Sequence, residues 1–276
     1  GMHTGTTRIR GNKRIPLQEK DITVAKLLKT AGYSTALIGK WGLGEPGTTG
    51  IPNNQGFDFF YGYLNQRHAH NSYPEYLWRD TTKEFIGNEV NYYNEGPGGI
   101  SVNKKVHSND LFTNEAINYI EKEQDNPFFL YLAYTLPHAN NEAQHFAALG
   151  MESPTLMGYD TASWATPQIA HAAMISTLDQ YVGEIIDVLK ELKIDNNTLV
   201  IFTSDNGPHK EGGADPEFFD SNGPFRGYKR DLYEGGIRVP HIAWWPGKIE
   251  AGTTSDHISA FWDFLPTACE IANVSI

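Results

Sequence analysis

The chain contains a single cysteine, Cys269, so no internal disulfide can form, and its apolar setting TACEIA reads as a small buried hydrophobe at the end of a helix. No apolar run is long enough for a transmembrane segment or for the apolar stretch of a secretory leader. Repeats, low-complexity tracts and Pro/Gly/Ser-rich linkers are also missing, so residues 1–276 read as one domain, and 39% hydrophobic content is enough for a sizeable core. Positive charge is scarce: 22 Lys and Arg against 33 Asp and Glu give a formal net charge of −11. That balance argues against a nucleic-acid partner. It does not exclude an anionic substrate, because charges are screened over about 8 Å at physiological salt and a compact site can carry its own cations.

What is there is an alternation of helix and strand patterns. Asp21 or Thr23 is placed to cap a helix with Val24, Leu27, Leu28 and Ala31 on one face, ended by Gly32, and Ser34 to Ile38 reads as a strand. A second helix is predicted from Asp110 to Glu123, followed by a strand from Phe128 to Tyr134. The longest helix starts after Thr166-Pro167, a cap and first-turn pair, and is expected to bury Ile169, Ala173, Leu178, Val182, Ile185, Ile186 and Leu189. Strands at 199–204 and at His241 to Trp245 follow. Connections of this length predict an α/β fold with a mostly parallel central sheet and helices on both faces.

Polar residues collect where these strands end. Lys40 lies just past one strand, His138 just past another, and Ser204, Asp205, Asn206 and Gly207 past a third, so one edge of one sheet is expected to gather them. Asp205 and Asn206 offer adjacent hard oxygen donors of the type Ca²⁺ or Mg²⁺ takes; alone, Asp-Asn-Gly after a strand is equally an ordinary turn. Lys229 lies in a polar, Gly-containing loop followed by Glu234-Gly235-Gly236, and Glu234, Gly235 and Arg238 read as braces for that loop.

The segments TLVIFTSDNGPH (198–209) and FRGYKRDLYEGGIRVP (225–240) resemble the formylglycine-dependent sulfatases of the alkaline-phosphatase-like superfamily. The resemblance continues in GYSTALIGKWGLG (32–44), GFDFFYGYLNQRHAHNSYP (56–74) and FFLYLAYTLPHA (128–139), in the family's order, and so covers nearly the whole chain. It implies that Lys40 and Lys229 bind sulfate oxygens, that His138 serves the leaving oxygen, and that Asp205 and Asn206 ligate calcium. The chemistry needs such groups, since cleaving a sulfate ester leaves an oxyanion that takes a proton and crowds charge onto nonbridging oxygens. His209 is read either as a substrate contact or as the partner of a loop carbonyl. Arg67, His68 and His70, with Gln66, form an aromatic-flanked loop that reads as the lining of a sugar pocket or as ordinary loop packing. The implied ligand is a small sulfated substrate such as a sulfated sugar; the sequence leaves the location open, and the family implies a periplasmic or secreted one if a signal peptide has been removed.

The family's nucleophile is a formylglycine made from the Cys or Ser that opens a C/S-x-P-x-R motif, and no such motif occurs here: Ser72-Tyr73-Pro74-Glu75-Tyr76 has Tyr in the Arg position. MHTGTTRIRGN (2–12) resembles the segment that follows that motif, so the chain is expected to be a partial catalytic domain, lacking the first strand with its paired Asp residues and the C-terminal subdomain. Calcium binding is accordingly expected to be weak or absent. Gly42 stands where many members carry a histidine, with His68, His70 and His209 as candidate substitutes. Three readings follow: a sulfatase whose complete form hydrolyses a sulfate ester, this chain being inactive as it stands; a noncatalytic binder of sulfated glycans that keeps Lys40, Lys229 and His138 as an anion cradle; and a phosphoester hydrolase on the same fold.

Overall fold

The structure is a computed structural model that describes residues 12–94 and 96–276. MHTGTTRIRGN therefore lies, apart from Asn12, outside the described residues. In chain order the regular elements are α1 (Val24–Thr30), β1 (Ser34–Lys40), β2 (Phe59–Tyr63), β3 (Tyr76–Arg79), β4 (Thr82–Phe85), β5 (Glu89–Tyr92), β6 (Gly99–Asn103), α2 (Ser108–Glu123), β7 (Phe128–Ala133), α3 (Thr166–Glu191), β8 (Val200–Thr203), α4 (Glu234–Ile237), β9 (His241–Trp244) and α5 (Phe261–Ile271). They form two compact units: unit 1 comprises the chain up to Thr135 together with Ser255–Ile276, and unit 2 comprises Leu136–Thr254.

Unit 1 is built on a five-stranded sheet of order β4-β3-β2-β1-β7. The apolar strand β1 runs parallel to both β2 and β7, while β3 and β4 extend the sheet antiparallel. Side chains alternate across a strand, and that alternation separates two helical layers. Leu37 and Phe60, paired in register, cluster with Ala25 of α1, and Phe129 joins that cluster and packs on Phe264 of α5. Their neighbours Phe59, Tyr61 and Tyr63 face the other way, onto Tyr119 and Phe112 of α2. Helices therefore cover both faces. Full burial of Leu37 and Phe60 contributes about 1.5–3 kcal/mol each. The helices begin where the sequence allows: Thr23 Oγ1 accepts from Lys26 N at 3.2 Å, and His107 Nδ1 accepts from Asn109 N at 3.3 Å, which starts α2 two residues before Asp110.

In unit 2, α3 begins as predicted, but Thr166 is its first residue and Ala165 the cap, with no side-chain cap bond. Its fully buried stripe is Ala170, Ala173, Met174, Thr177, Tyr181, Ile185 and Leu189; Ile169, Leu178, Val182 and Ile186 are half-buried beside it. The 3.6-residue period was legible, whereas the centre of the face depends on what packs there. The strand predicted at 199–204 also exists, as β8, but it does not join the parallel sheet. It pairs antiparallel with β9, Val200 opposite Trp244 and Thr203 opposite His241. An apolar, β-branched run specifies a strand without specifying its partner. Among the described residues no helix is long and apolar enough to cross a membrane, and Cys269 is fully buried in α5.

Candidate active site

In unit 1, Lys40 is the last residue of β1 and is half-buried, opposite Tyr63 at the end of the parallel neighbour β2. The segments leaving these two strands, together with residues 12–16, line a cavity of about 270 Å³ that Gly42, Gly44, Glu45, Leu64, Asn65 and Gln66 border. Gly42 has φ +89°, and a Cβ there would lie 2.5 Å from Gln66 Cγ. A side chain at 42 is thus opposed by backbone conformation and by Gln66, whose carboxamide stem fills its space. Of the proposed substitutes, His68 is buried against Tyr63 and Tyr76, with ring centroids at 5.0 and 4.5 Å. Burial, helped by Lys83, pushes its pKa down to about 3. His68 is therefore a neutral core imidazole near pH 7 and does not act there as an imidazolium acid. His70 is buried as well, and Arg67 is half-buried with its guanidinium over Gly96.

Unit 2 brings together residues far apart in sequence. Lys229 Nζ lies 3.2 Å from His138 Nε2, although 91 residues separate them. An ammonium only donates, so Nε2 accepts, and His138 Nδ1–H donates to the Ala139 carbonyl at 2.7 Å. His138 is thereby written as the neutral Nδ1–H tautomer. Lys229 also reaches Glu211 Oε2 at 3.4 Å, while Arg230 pairs with Glu211 Oε1. Burial alone would raise the Glu211 carboxyl, but Lys229 and Arg230 outweigh it and hold it below the usual range.

His209 stacks beside His138, centroids 6.1 Å apart, and both its nitrogens are engaged: Nε2–H donates to the Pro137 carbonyl at 3.2 Å and Nδ1 accepts from Glu211 N–H at 3.1 Å. Burial lowers its pKa, so the 3.3 Å approach of Nδ1 to the Glu211 carboxylate belongs to a neutral ring and is not an ion pair. Of its two readings, these contacts are those of the partner of a loop carbonyl. Asp205 is exposed just beyond β8, and Asn206 donates to the Gly207 carbonyl at 2.9 Å. Gly207 N–H bonds the Gly236 carbonyl at 3.0 Å, and a Cβ on Gly207 would stand 1.9 Å from the Gly235 carbonyl. Only glycine permits this approach of the 205–207 and 234–236 backbones. Glu234 and Arg238 pair with one another, and Arg238 lies over the Phe225 ring, bracing the loop that carries Lys229.

For calcium the donor set is short. Asp205 and Asn206 are of the right chemistry, but the described residues contain no group of three or more His, Cys, Asp or Glu placed to hold a metal, and Ca²⁺ takes about 6 to 8 oxygens.

The sulfatase family model matches residues 1–274. The chain belongs to the sulfatase family. Among its relatives are the N-acetylgalactosamine-6-sulfatase of Canis lupus familiaris, 33% identical over 95% of this chain and 46% of the relative, and the arylsulfatase of Hemicentrotus pulcherrimus, 30% identical over 94% and 44%. Of solved structures, Ps i-CgsB in complex with k-i-k-neocarrahexaose superposes with a TM-score of 0.72 at 27% identity, covering 97% of this chain and 56% of that one. This sulfatase chain thus spans about half the length of the relatives it matches. The family accounts for the five matched segments. Glu211 was not found from sequence, since an acidic residue next to Lys210 in a chain of net charge −11 carries no local signal.

Proposed function

We propose that the chain is part of a sulfate-ester hydrolase acting on a sulfated carbohydrate, with Lys229 and His138 at the sulfate group. The observation that carries this reading is the 3.2 Å approach of Lys229 Nζ to His138 Nε2, which joins a fixed cation to an imidazole in a half-buried setting. Lys229 supplies positive charge for nonbridging oxygens, and His138 Nε2, which accepts from Lys229 here, serves a leaving oxygen only after it has given up that bond and taken a proton. Lys40, at the end of β1 in unit 1, keeps the anion-binding role that the family resemblance implies for it. Carbohydrate is favoured over a simple aryl ester because the relatives include N-acetylgalactosamine-6-sulfatases and the matched structure holds a neocarrahexaose.

Formylglycine, when present, supplies the attacking oxygen. The 276 residues contain no C/S-x-P-x-R sequence from which it is made, so this polypeptide by itself is assigned binding without turnover. Asp205 and Asn206 are assigned to calcium as an incomplete set. The noncatalytic sulfated-glycan binder is the second reading, favoured by that same missing motif. Two measurements test the pair. An aryl sulfate reporter should show no turnover above background, and turnover that survives repurification and is lost in His138→Ala would refute the assignment of binding alone. Titration with a sulfated monosaccharide should shift His138 ring signals, and Lys229→Met should abolish the shift; the same shift from the desulfated sugar would remove sulfate from the proposal.

A further inference from the structure

Lysine carries its charge on a flexible stem, with three N–H donors that rotate freely until acceptors fix them. Among the described residues Lys229 has two such acceptors, His138 Nε2 at 3.2 Å and Glu211 Oε2 at 3.4 Å, and the side chains of Lys229 and Glu211 are only 16% and 15% exposed. Glu211 is itself tied down. Its other oxygen pairs with Arg230, a bulky residue held at φ +81°, a conformation that persists only where surrounding contacts require it. Its backbone N–H is bonded to His209 Nδ1, and His209 Nε2–H bonds the carbonyl of Pro137, the residue before His138. The contacts close a ring: His138, Lys229, Glu211, His209, Pro137.

We propose that Glu211 is a positioning residue that fixes the Lys229 ammonium by occupying one donor, commits the third donor to an incoming sulfate oxygen, and through Lys229 keeps His138 in its Nδ1–H form. The anion named here rests on the sulfate-binding reading above, whereas the effect on His138 does not. A carboxylate beside an anion site repels the anion, so its removal should strengthen binding. If Glu211 instead orders the cation, removal of its acceptor weakens binding although a negative charge is lost. Gln, which keeps an acceptor oxygen and sheds the charge, separates the two effects.

The test uses the ¹⁵N-labelled 276-residue chain, with histidine ring nitrogens read by long-range ¹H–¹⁵N correlation and inorganic sulfate as the titrant. The expected result is a pyridine-type Nε2 and pyrrole-type Nδ1 for His138 in the parent and in Glu211→Gln, and a mixture of tautomers in Glu211→Ala. Sulfate affinity should be at least as high in Glu211→Gln as in the parent and about tenfold lower in Glu211→Ala. An unchanged His138 tautomer in Glu211→Ala, or sulfate binding there as tight as or tighter than in the parent, overturns the proposal. Should Glu211→Ala fail to fold, Glu211→Gln decides alone: a retained tautomer supports the role and a lost one overturns it. If the tautomer responds in Glu211→Ala while neither the parent nor Glu211→Gln binds sulfate, the positioning role stands and the sulfate reading fails.

Discussion

Unit 1 and unit 2 spend their interiors differently. In unit 1 the sheet is closed by large, fully buried side chains, Phe60, Tyr61, Tyr63 and Phe112, while in unit 2 the largest fully buried ones are Met174 and Leu189. Strand β1 is buried along its middle five residues, whereas β8 is half-buried throughout. Unit 2 instead gathers His138, His209, Glu211 and Lys229 from loops, with α3 alongside supplying His171, 5.7 Å from His209. A carboxylate and an ammonium with most of their surface covered cost desolvation that their pairing only partly offsets. The contrast is between a region whose residues are chosen for packing and one whose residues are chosen to hold charge and protons in place.

The largest test of that contrast is truncation of the unit 1 core. Phe112 meets Tyr61 and Tyr63 edge-on and is fully buried, so Phe112→Ala should cost about 3–5 kcal/mol. Ile201→Ala in half-buried β8 should cost about 1 kcal/mol, roughly half the value of a complete burial. Denaturant unfolding of both variants measures the pair, and equal losses would erase the distinction between the units.

A second test uses one histidine from each unit. Burial lowers His68 to about 3, and burial with the neighbouring His209 lowers His171 to about 4. The unfolded chain binds these protons near pH 6.5 and the folded chain does not, so both contributions are fully present above pH 6.5 and are lost as pH falls toward those values. Each should add up to about 1.4 kcal/mol per pH unit to the slope of stability against pH in that window. His68→Phe should flatten the slope down to about pH 3, and His171→Phe only down to about pH 4. Chemical denaturation across pH 3–7 checks this, and a parent slope unchanged by either substitution would mean the rings are protonated in place.

These residues also show what a sequence can and cannot carry. The apolar runs of β1, β7 and β8 and the period of α2 and α3 were legible because burial imposes them locally, and so was the placing of Lys40 at a strand end. The pairing of β8 with β9 was not, because a partner is chosen by the rest of the chain. The strand β2 was missed in GFDFFYGY, where glycines on both sides resemble loop composition. His138 and Lys229, which lie 3.2 Å apart, were singled out through segments that resemble the family. His68 was read either as pocket lining or as ordinary packing, and it packs in the core; a histidine among aromatics reads the same whether it faces a ligand or Tyr63 and Tyr76. Gln66 over Gly42 was invisible because it depends on two segments leaving adjacent strands.

A smaller effect is expected from calcium. Two side-chain oxygens, one on exposed Asp205, are far from the usual shell of about 6 to 8, so binding by this chain should be no tighter than about 1 mM. At about 1 mM calcium the added stability should then stay below about 0.5 kcal/mol. Thermal unfolding with and without calcium, followed by isothermal titration, measures it. A tight site would show that unit 2 is organised around a metal, and the account of its polar interior would have to begin there.

The smallest effect should come from the brace on the Lys229 loop, and it sharpens the comparison because unit 1 has a counterpart. Arg79 is held by two carboxylates, Glu84 at 2.8 Å and Glu115 at 2.6 Å, and lies 4.5 Å from the Tyr61 ring centroid, with 37% of its side chain exposed. Among the described residues Arg238 has a single carboxylate partner, Glu234, four residues away, and both side chains are more than half exposed. Water and salt screen such a pair, so Glu234→Gln should change stability by about 0.3–0.5 kcal/mol, and Glu115→Gln by more than that. Raising salt should shrink the first difference toward zero and leave most of the second, because the Glu115 carboxylate is only 22% exposed. If Glu234→Gln instead costs as much as Glu115→Gln, the brace is part of what holds Lys229 near His138. The His138 ring signals should then move in that variant, whereas a pair that only decorates the surface leaves them unchanged.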